Sequence, residues 1–354
     1  MSEFFIVVPI GLESLALKEL EYKFSKHFLH EVYEANVIKG GVELNCELKY
    51  GLKLNDILKI PTRILLRIKT QKCRDLPKLF NILKKINWKE HLRQHNVSFN
   101  ISCHQSRLIH TGRIEKTATE ALIAYFAANQ IPQKSLKPGL EEQVIFIRFV
   151  NDDLTISLDT TGEPLYKRSQ HVYRGKAGLR ENYASGFLLY LLDIKDYSDN
   201  ILIDPMCGSG TFLKEASNFF NLNKRNFSYQ NWSTQIDITL DDLQDIWNFK
   251  EIIGYDKDNS VLENIDSALA TSKQDFLTTK TISPRTIYIM NPPYGKRIKL
   301  DNPKLYFSKL INHIKALSPF STGIIVPKEY SSKIISKSRL NFNQNGIKVE
   351  FITF

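Results

Sequence analysis

A short apolar run, Ile201-Leu202-Ile203, leads straight into Asp204-Pro205-Met206-Cys207-Gly208-Ser209-Gly210-Thr211, and a helical pattern starts at Thr211. No other stretch restricts the fold as much. Gly208 and Gly210 allow a sharp turn and a close approach of backbone to ligand. Strand, glycine loop and helix in this order make the first half of a βαβ unit, and open α/β sheets bind ligands at the carboxyl ends of their strands. Further apolar runs at 251–255, 286–290 and 323–326 are separated by helical patterns. Strands that alternate with helices predict a parallel, doubly wound sheet.

The first 160 residues read differently. Strands are expected at 4–8, 42–44, 64–68 and 97–102, and helices at 76–86 and 114–129. A hairpin should turn at Asn151-Asp152-Asp153. An amphipathic helix follows Glu13, with Leu15, Leu17 and Leu20 on its apolar side. This is an α+β mixture, and 354 residues leave room for such a domain beside an α/β one. The boundary is expected between 160 and 175, in a basic connector carrying Lys167, Arg168, Arg174 and Lys176 with Tyr166, His171 and Tyr173 interleaved.

The glycine loop lacks the Lys-Ser/Thr ending of a P-loop and the full GxGxxG of dinucleotide enzymes. An acid ahead of it, Asp204, suits a cofactor with a cationic amino group. Pro205, Cys207, Ser209 and Thr211 complete the loop, and the backbone of 208–210 is expected to contact a methionyl group. Asp256 ends the next strand, where a carboxylate can accept hydrogen bonds from both ribose hydroxyls. Asp258 is expected to cap a helix starting near Val261, and Asp275-Phe276 to bracket an adenine. The implied cofactor is S-adenosylmethionine. Residues 218–249 then form an insertion or a helical excursion.

Asn291-Pro292-Pro293-Tyr294-Gly295 follows the strand ending at Met290. The lone pair of an exocyclic base amine is delocalised into the ring, so methylating it requires an enzyme that favours tetrahedral nitrogen. The Asn291 amide oxygen and the Pro292 or Pro293 carbonyl can accept the two N–H bonds. The prolines stiffen the loop, and Tyr294 can stack on an extruded base. Asn291, Pro292, Pro293 and Tyr294 are therefore the candidate catalytic residues.

Net charge is +10, which favours a polyanionic partner. Cations cluster around Arg63 and Arg67, around Arg107, and in the connector, where phosphates can pair with them. Cys46, Cys73, Cys103 and Cys207 form no CxxC pair and the histidines have no metal spacing, so no metal is expected. An acidic start, Met1-Ser2-Glu3, and the lack of a long apolar run predict a cytoplasmic protein with no membrane contact. Oligomeric state is not legible.

These residues resemble the THUMP-domain RNA guanine-N2 methyltransferases, in particular the RlmL-like large-subunit ribosomal RNA enzymes, in a form with a single methyltransferase domain. The resemblance runs through Phe5-Ile6-Val7-Val8-Pro9, Gly40-Gly41-Val42, Ile60-Pro61-Thr62-Arg63, Leu158-Asp159-Thr160-Thr161-Gly162, Leu179-Arg180-Glu181-Asn182, the glycine loop and the Asn291 loop. It implies a ferredoxin-like segment at 1–50, a THUMP domain that grips RNA at 51–162, and a Rossmann-like methyltransferase domain at 163–354. It also implies guanine N2 of structured RNA as the acceptor, most readily in 23S ribosomal RNA, and a place for Glu181 at the cofactor pocket. Ser169-Gln170-His171, Gly178 and Lys296 depart from the family pattern. The residues alone leave open a transfer RNA guanine, adenine N6, or an RNA-binding assembly factor without activity.

Overall fold

Apolar residues gather into two sheets, and the chain crosses between two units to build them. The computed structural model describes residues 1–92, 96–130, 142–168, 178–234, 236–244, 246–263, 265–294, 301–332, 334–344 and 346–354. One unit holds Met1–Val7, Lys23–Leu165 and Asn223–Leu240. The other holds Val8–Tyr22, Tyr166–Leu222 and Asp241–Phe354.

In the first unit β1 (Ser2–Val7), β2 (Glu34–Ile38), β3 (Gly41–Cys46), β4 (Arg63–Lys72), β5 (Val97–His104), β6 (Gln143–Val150) and β7 (Asp153–Asp159) form one sheet in the order β2-β3-β1-β4-β7-β6-β5. Its neighbours are antiparallel except the parallel pair β5 and β6. The expected hairpin is present: Val150 pairs with Asp153, and Asn151 and Asp152 both take positive φ, 51° and 65°. That is the mirror-image two-residue turn that matches strand twist. Helices α2 (Leu48–Ile57), α3 (Leu76–Lys85) and α4 (Thr111–Ala128) belong to this unit, while α1 (Glu13–His27) runs from one unit into the other.

Helix α1 buries Leu20 as expected, but its buried face leaves out Leu15 and Leu17. Leu12, Ala16, Leu20 and Phe24, spaced four apart, are buried, and Leu15 and Leu17 are only half-buried. The insertion at 218–249 also differs from a helical excursion. After α6 ends, its described residues form only a 3-10 turn at Ser228–Asn231, and 223–240 pack into the first unit. Its sequence has buried anchors rather than a helical period. Phe227, Tyr229 and Trp232 are buried, the Trp232 indole donates to Gln143 Oε1 at 2.6 Å, and Asn223 Nδ2 donates to the carbonyls of Asn55 and Leu58.

The second unit contains α5 (Glu181–Leu192), β8 (Ile201–Asp204), α6 (Thr211–Asn218), β9 (Glu251–Asp256), α7 (Asn259–Leu262), β10 (Ala270–Lys273), β11 (Thr286–Met290), α8 (Pro303–Leu317), β12 (Ser321–Pro327), α9 (Lys328–Ser331), β13 (Ser338–Gln344) and β14 (Ile347–Thr353). Its sheet runs β10-β9-β8-β11-β12-β14-β13. The first five strands are parallel, as the alternation of elements predicts. Strand β14 is antiparallel to both β12 and β13, so the sheet is mixed. Strand β11, Thr-Ile-Tyr-Ile-Met, is buried along its whole length, as a strand covered on both faces should be. From β8 the chain moves outward to β9 and β10, then returns past β8 to β11. The direction of winding reverses between β8 and β11, and ligands of such sheets bind at that switch point.

Candidate active site

The glycine loop leaves the end of β8 and the Asn291 segment leaves the end of β11, so the two sharpest motifs emerge from neighbouring parallel strands. Gly208 and Gly210 have φ of 50° and 73°, in the left-handed region that favours glycine. Among the described residues a Cβ on Gly208 would meet nothing within 4 Å, so the loop faces open space there. The Gly210 N–H donates to the Cys207 carbonyl at 2.8 Å, and Gly210 is the N-cap of α6. Ser209 and Thr211 are half-buried with their hydroxyls 3.5 Å apart, and Pro205 is buried. The Cys207 thiol is buried and its pKa is pushed up by desolvation, so it stays neutral.

Asp204 is 2% exposed and accepts the Met206 N–H at 3.1 Å. Burial, helped by the nearby charge of Asp256, raises its pKa to about 8, against the partial relief of the Met206 hydrogen bond. A buried acid in that state favours a cation beside it, because the cation would restore the charged form. The loop is also tied to the next strand. The Cys207 N–H donates to the Tyr255 carbonyl at 2.9 Å, and the Gly208 N–H to Asp256 Oδ2 at 3.0 Å. Asp256 Oδ1 accepts the Asp258 N–H at 3.0 Å. Each Asp256 oxygen thus holds one backbone donor and keeps a further lone pair. Asp258 caps α7 through the Ser260 N–H, as expected.

Asp275 lies beyond β10, is exposed, and caps the turn Phe276–Thr278 through the Leu277 N–H at 3.0 Å. Glu181 opens α5 and is only 7% exposed, so it is not a surface residue of the first helical turn. Asn291 is half-buried, Pro292 is buried, and Pro293 is half-buried. Tyr294 is half-buried and packs with Met206 and Tyr306 against the cluster that includes Ile203, Met290 and Val326. Gly295 and Lys296 lie outside the described residues.

Two residues that shape the site were not singled out in the sequence. Gly254 sits on β9 beneath the glycine loop, where a Cβ would come within 2.5 Å of Leu213 Cδ1 and 2.9 Å of Cys207 Sγ. A glycine inside a strand pattern is the signal for such close approach. Tyr306 on α8 donates to Met206 Sδ at 3.5 Å, and nothing in the sequence pattern marks it.

The basic candidates divide. Arg63 pairs with the fully buried Asp159 and donates to the Gly162 carbonyl at 2.7 Å. Arg67 pairs with Glu3 and with Glu43, the latter at 2.8 Å. Arg168 turns inward: Nη2 lies 2.5 Å from Glu215 Oε2 and 3.2 Å from Ser185 Oγ, with the pair almost wholly buried. All three guanidinium groups hold ion pairs with carboxylates of the protein itself. Carboxylates distant in sequence converge on them, and that convergence is invisible before folding. Arg107 and Lys167 are exposed. Arg174 and Lys176 lie outside the described residues. Among the described residues no group of three His, Cys, Asp or Glu side chains is arranged to hold a metal ion, and no helix is long and apolar enough to cross a membrane.

The "Ribosomal RNA large subunit methyltransferase K/L" of Marinomonas sp. is 28% identical over 83% of this chain, which spans 43% of that relative's length. A "tRNA (guanine(6)-N2)-methyltransferase" of Methanocaldococcus jannaschii is 28% identical over 92% of this chain and 90% of its own. Among solved structures, a putative methyltransferase complexed with SAH covers all of this chain and 97% of its own, with a TM-score of 0.78 at 21% identity, which establishes the likeness of fold. Residues 168–329 match the sequence profile described as "RMKL-like, methyltransferase domain". The matched stretch is the one that carries the glycine loop, Asp256 and the Asn291 segment.

Proposed function

We propose that this protein is an S-adenosylmethionine-dependent RNA methyltransferase that modifies the exocyclic N2 of a guanine in structured RNA, with large-subunit ribosomal RNA as the substrate. One observation carries the reading: two loops suited to a methyl donor and to a base amine leave adjacent strands at the switch point of one sheet. The names of the relatives, methyltransferases of ribosomal RNA and of transfer RNA guanine N2, support it.

The residues present suit the donor. The open space before Gly208 admits a ligand against the loop backbone, and the buried Asp204 favours an amino cation. In this reading Asp256 takes the ribose hydroxyls with its remaining lone pairs, Asp275 borders the adenine, and Glu181 borders the pocket. The donor supplies a methyl group on a positive sulfur, so alignment can account for most of the rate. Asn291 Oδ1 and a proline carbonyl accept the amine N–H bonds, drawing its lone pair out of conjugation and towards the methyl group. Tyr294 stacks on the base. We assign 1–50 to a ferredoxin-like segment, 51–162 to a THUMP domain, and 163–354 to the methyltransferase domain. Arg107 and Lys167, with Arg174 and Lys176, are the cations assigned to phosphates, and the cytoplasm is the assigned location.

Purified protein incubated with labelled S-adenosylmethionine and either large-subunit ribosomal RNA or transfer RNA tests this, with the methylated nucleosides identified by mass spectrometry. N2-methylguanosine in the ribosomal RNA is the expected product. N6-methyladenosine would refute the acceptor, and no product on any RNA together with no cofactor binding would favour an inactive assembly factor. Transfer RNA guanine is the second reading, favoured by the end-to-end match to the archaeal enzyme.

A further inference from the structure

We propose that α8 is a strut that sets the spacing of the donor pocket, with Tyr306 and His313 as its positioning residues. The inference rests on the methyltransferase reading of the site. Among the described residues helix α8 is the next element after the Asn291 segment, beginning at Pro303 behind the N-cap of Asn302. Tyr306 and His313 are seven residues apart, close to two helical turns, so they share one side of it. Tyr306 Oη donates to Met206 Sδ at 3.5 Å, inside the glycine loop. His313 Nε2 lies 2.9 Å from the Phe276 carbonyl, next to Asp275, and its ring stands edge-on to Phe276 at 5.1 Å. A carbonyl only accepts, so Nε2 carries the proton. One rigid element thereby reaches both loops assigned to the donor, the methionyl side through Met206 and the adenine side through Phe276.

The arrangement is more specific than core packing requires. Tyr306, Met206 and Tyr294 all pack at the edge of the same buried cluster, yet Tyr306 directs its one polar atom at the Met206 sulfur of the glycine loop. Burial, then the charge of Asp275, hold the phenol up at about 12, so it remains a donor at neutral pH. A phenylalanine would fill the same space without that link.

The test uses the full chain, calorimetry with S-adenosylhomocysteine, and methyl transfer to RNA at saturating donor. Tyr306→Phe is expected to weaken S-adenosylhomocysteine binding and lower kcat about threefold to tenfold, the range for one net hydrogen bond, with KM for RNA unchanged. Met206→Leu should reproduce that loss, and the double variant should be no worse than either single one, because both remove the same link. The strut is overturned if Tyr306→Phe binds and turns over like the wild type, or if the two losses multiply in the double variant. Should Tyr306→Phe not fold, a wild-type result for Met206→Leu overturns it. Failure of the wild-type protein to bind S-adenosylhomocysteine would instead refute the underlying methyltransferase reading.

Discussion

Donor binding should tighten as pH rises, and the cause is Asp204. In the free protein burial raises this carboxyl to about 8, so it is mostly neutral at pH 7. A cation beside it favours the charged form, so binding an amino cation releases a proton. From about pH 6 to about pH 7.5 the ionised fraction of a group titrating at about 8 grows from about 1% to about 24%. An α-amino group of pKa about 7.7–8.0 is by then about a third deprotonated, so affinity should rise roughly 15-fold. The same shift has a stability consequence of the opposite sense. A carboxyl raised in the folded state stabilises fully below its unfolded pKa, and that contribution is lost as pH rises through about 8, so the ligand-free protein should weaken across that interval. Calorimetry with S-adenosylhomocysteine in buffers of different ionisation enthalpy measures both affinity and proton release. Asp204→Asn should bind more weakly near pH 7.5 and lose the pH dependence. Wild-type affinity that is flat or falls across this window would refute the assignment of Asp204 to the amino cation.

Three further outcomes are expected. Gly254→Ala, which places a Cβ 2.5 Å from Leu213 and 2.9 Å from Cys207, should cost about 1–3 kcal/mol by overpacking and weaken donor binding by displacing the glycine loop; urea melts and calorimetry check the two effects. Arg168→Met leaves Glu215 buried without its cation and should cost about 3–5 kcal/mol in urea unfolding, while RNA affinity of the folded fraction changes little; loss of RNA affinity at unchanged stability would restore Arg168 to the phosphate-binding set. Lys167→Glu should weaken RNA binding and reduce the slope of log affinity against log salt by about 0.7–0.9, and an unchanged slope would remove Lys167 from the interface.

The parallel half of the second sheet was legible because its strands are continuous apolar runs punctuated by loops of unusual chemistry. Asp204, Gly208 and Gly210 could be named for the same reason, since a buried acid and two left-handed glycines leave a local trace. The antiparallel pair β13 and β14 was not read, because its strands mix polar and apolar residues at an edge and pair with partners set by the whole sheet. Between an insertion and a helical excursion at 218–249 the sequence left the choice open, because the anchors Asn223 and Trp232 make sense only once they have met Asn55 and Gln143, far away in the chain. The engagement of Arg63, Arg67 and Arg168 has the same origin: a cation's partner is a fact of tertiary structure. Tyr306 left no trace because a tyrosine on an amphipathic helix reads as core, and only its aim at Met206 marks it out.

The claim on which everything turns is that methyl transfer occurs where the glycine loop and the Asn291 segment leave β8 and β11. Single-turnover transfer to RNA by Asn291→Ala, measured alongside its calorimetric affinity for S-adenosylhomocysteine, tests it most directly. The account predicts near-normal affinity with turnover lowered by about two to three orders of magnitude. Methylation close to the wild-type rate in a variant that binds the cofactor normally would contradict it.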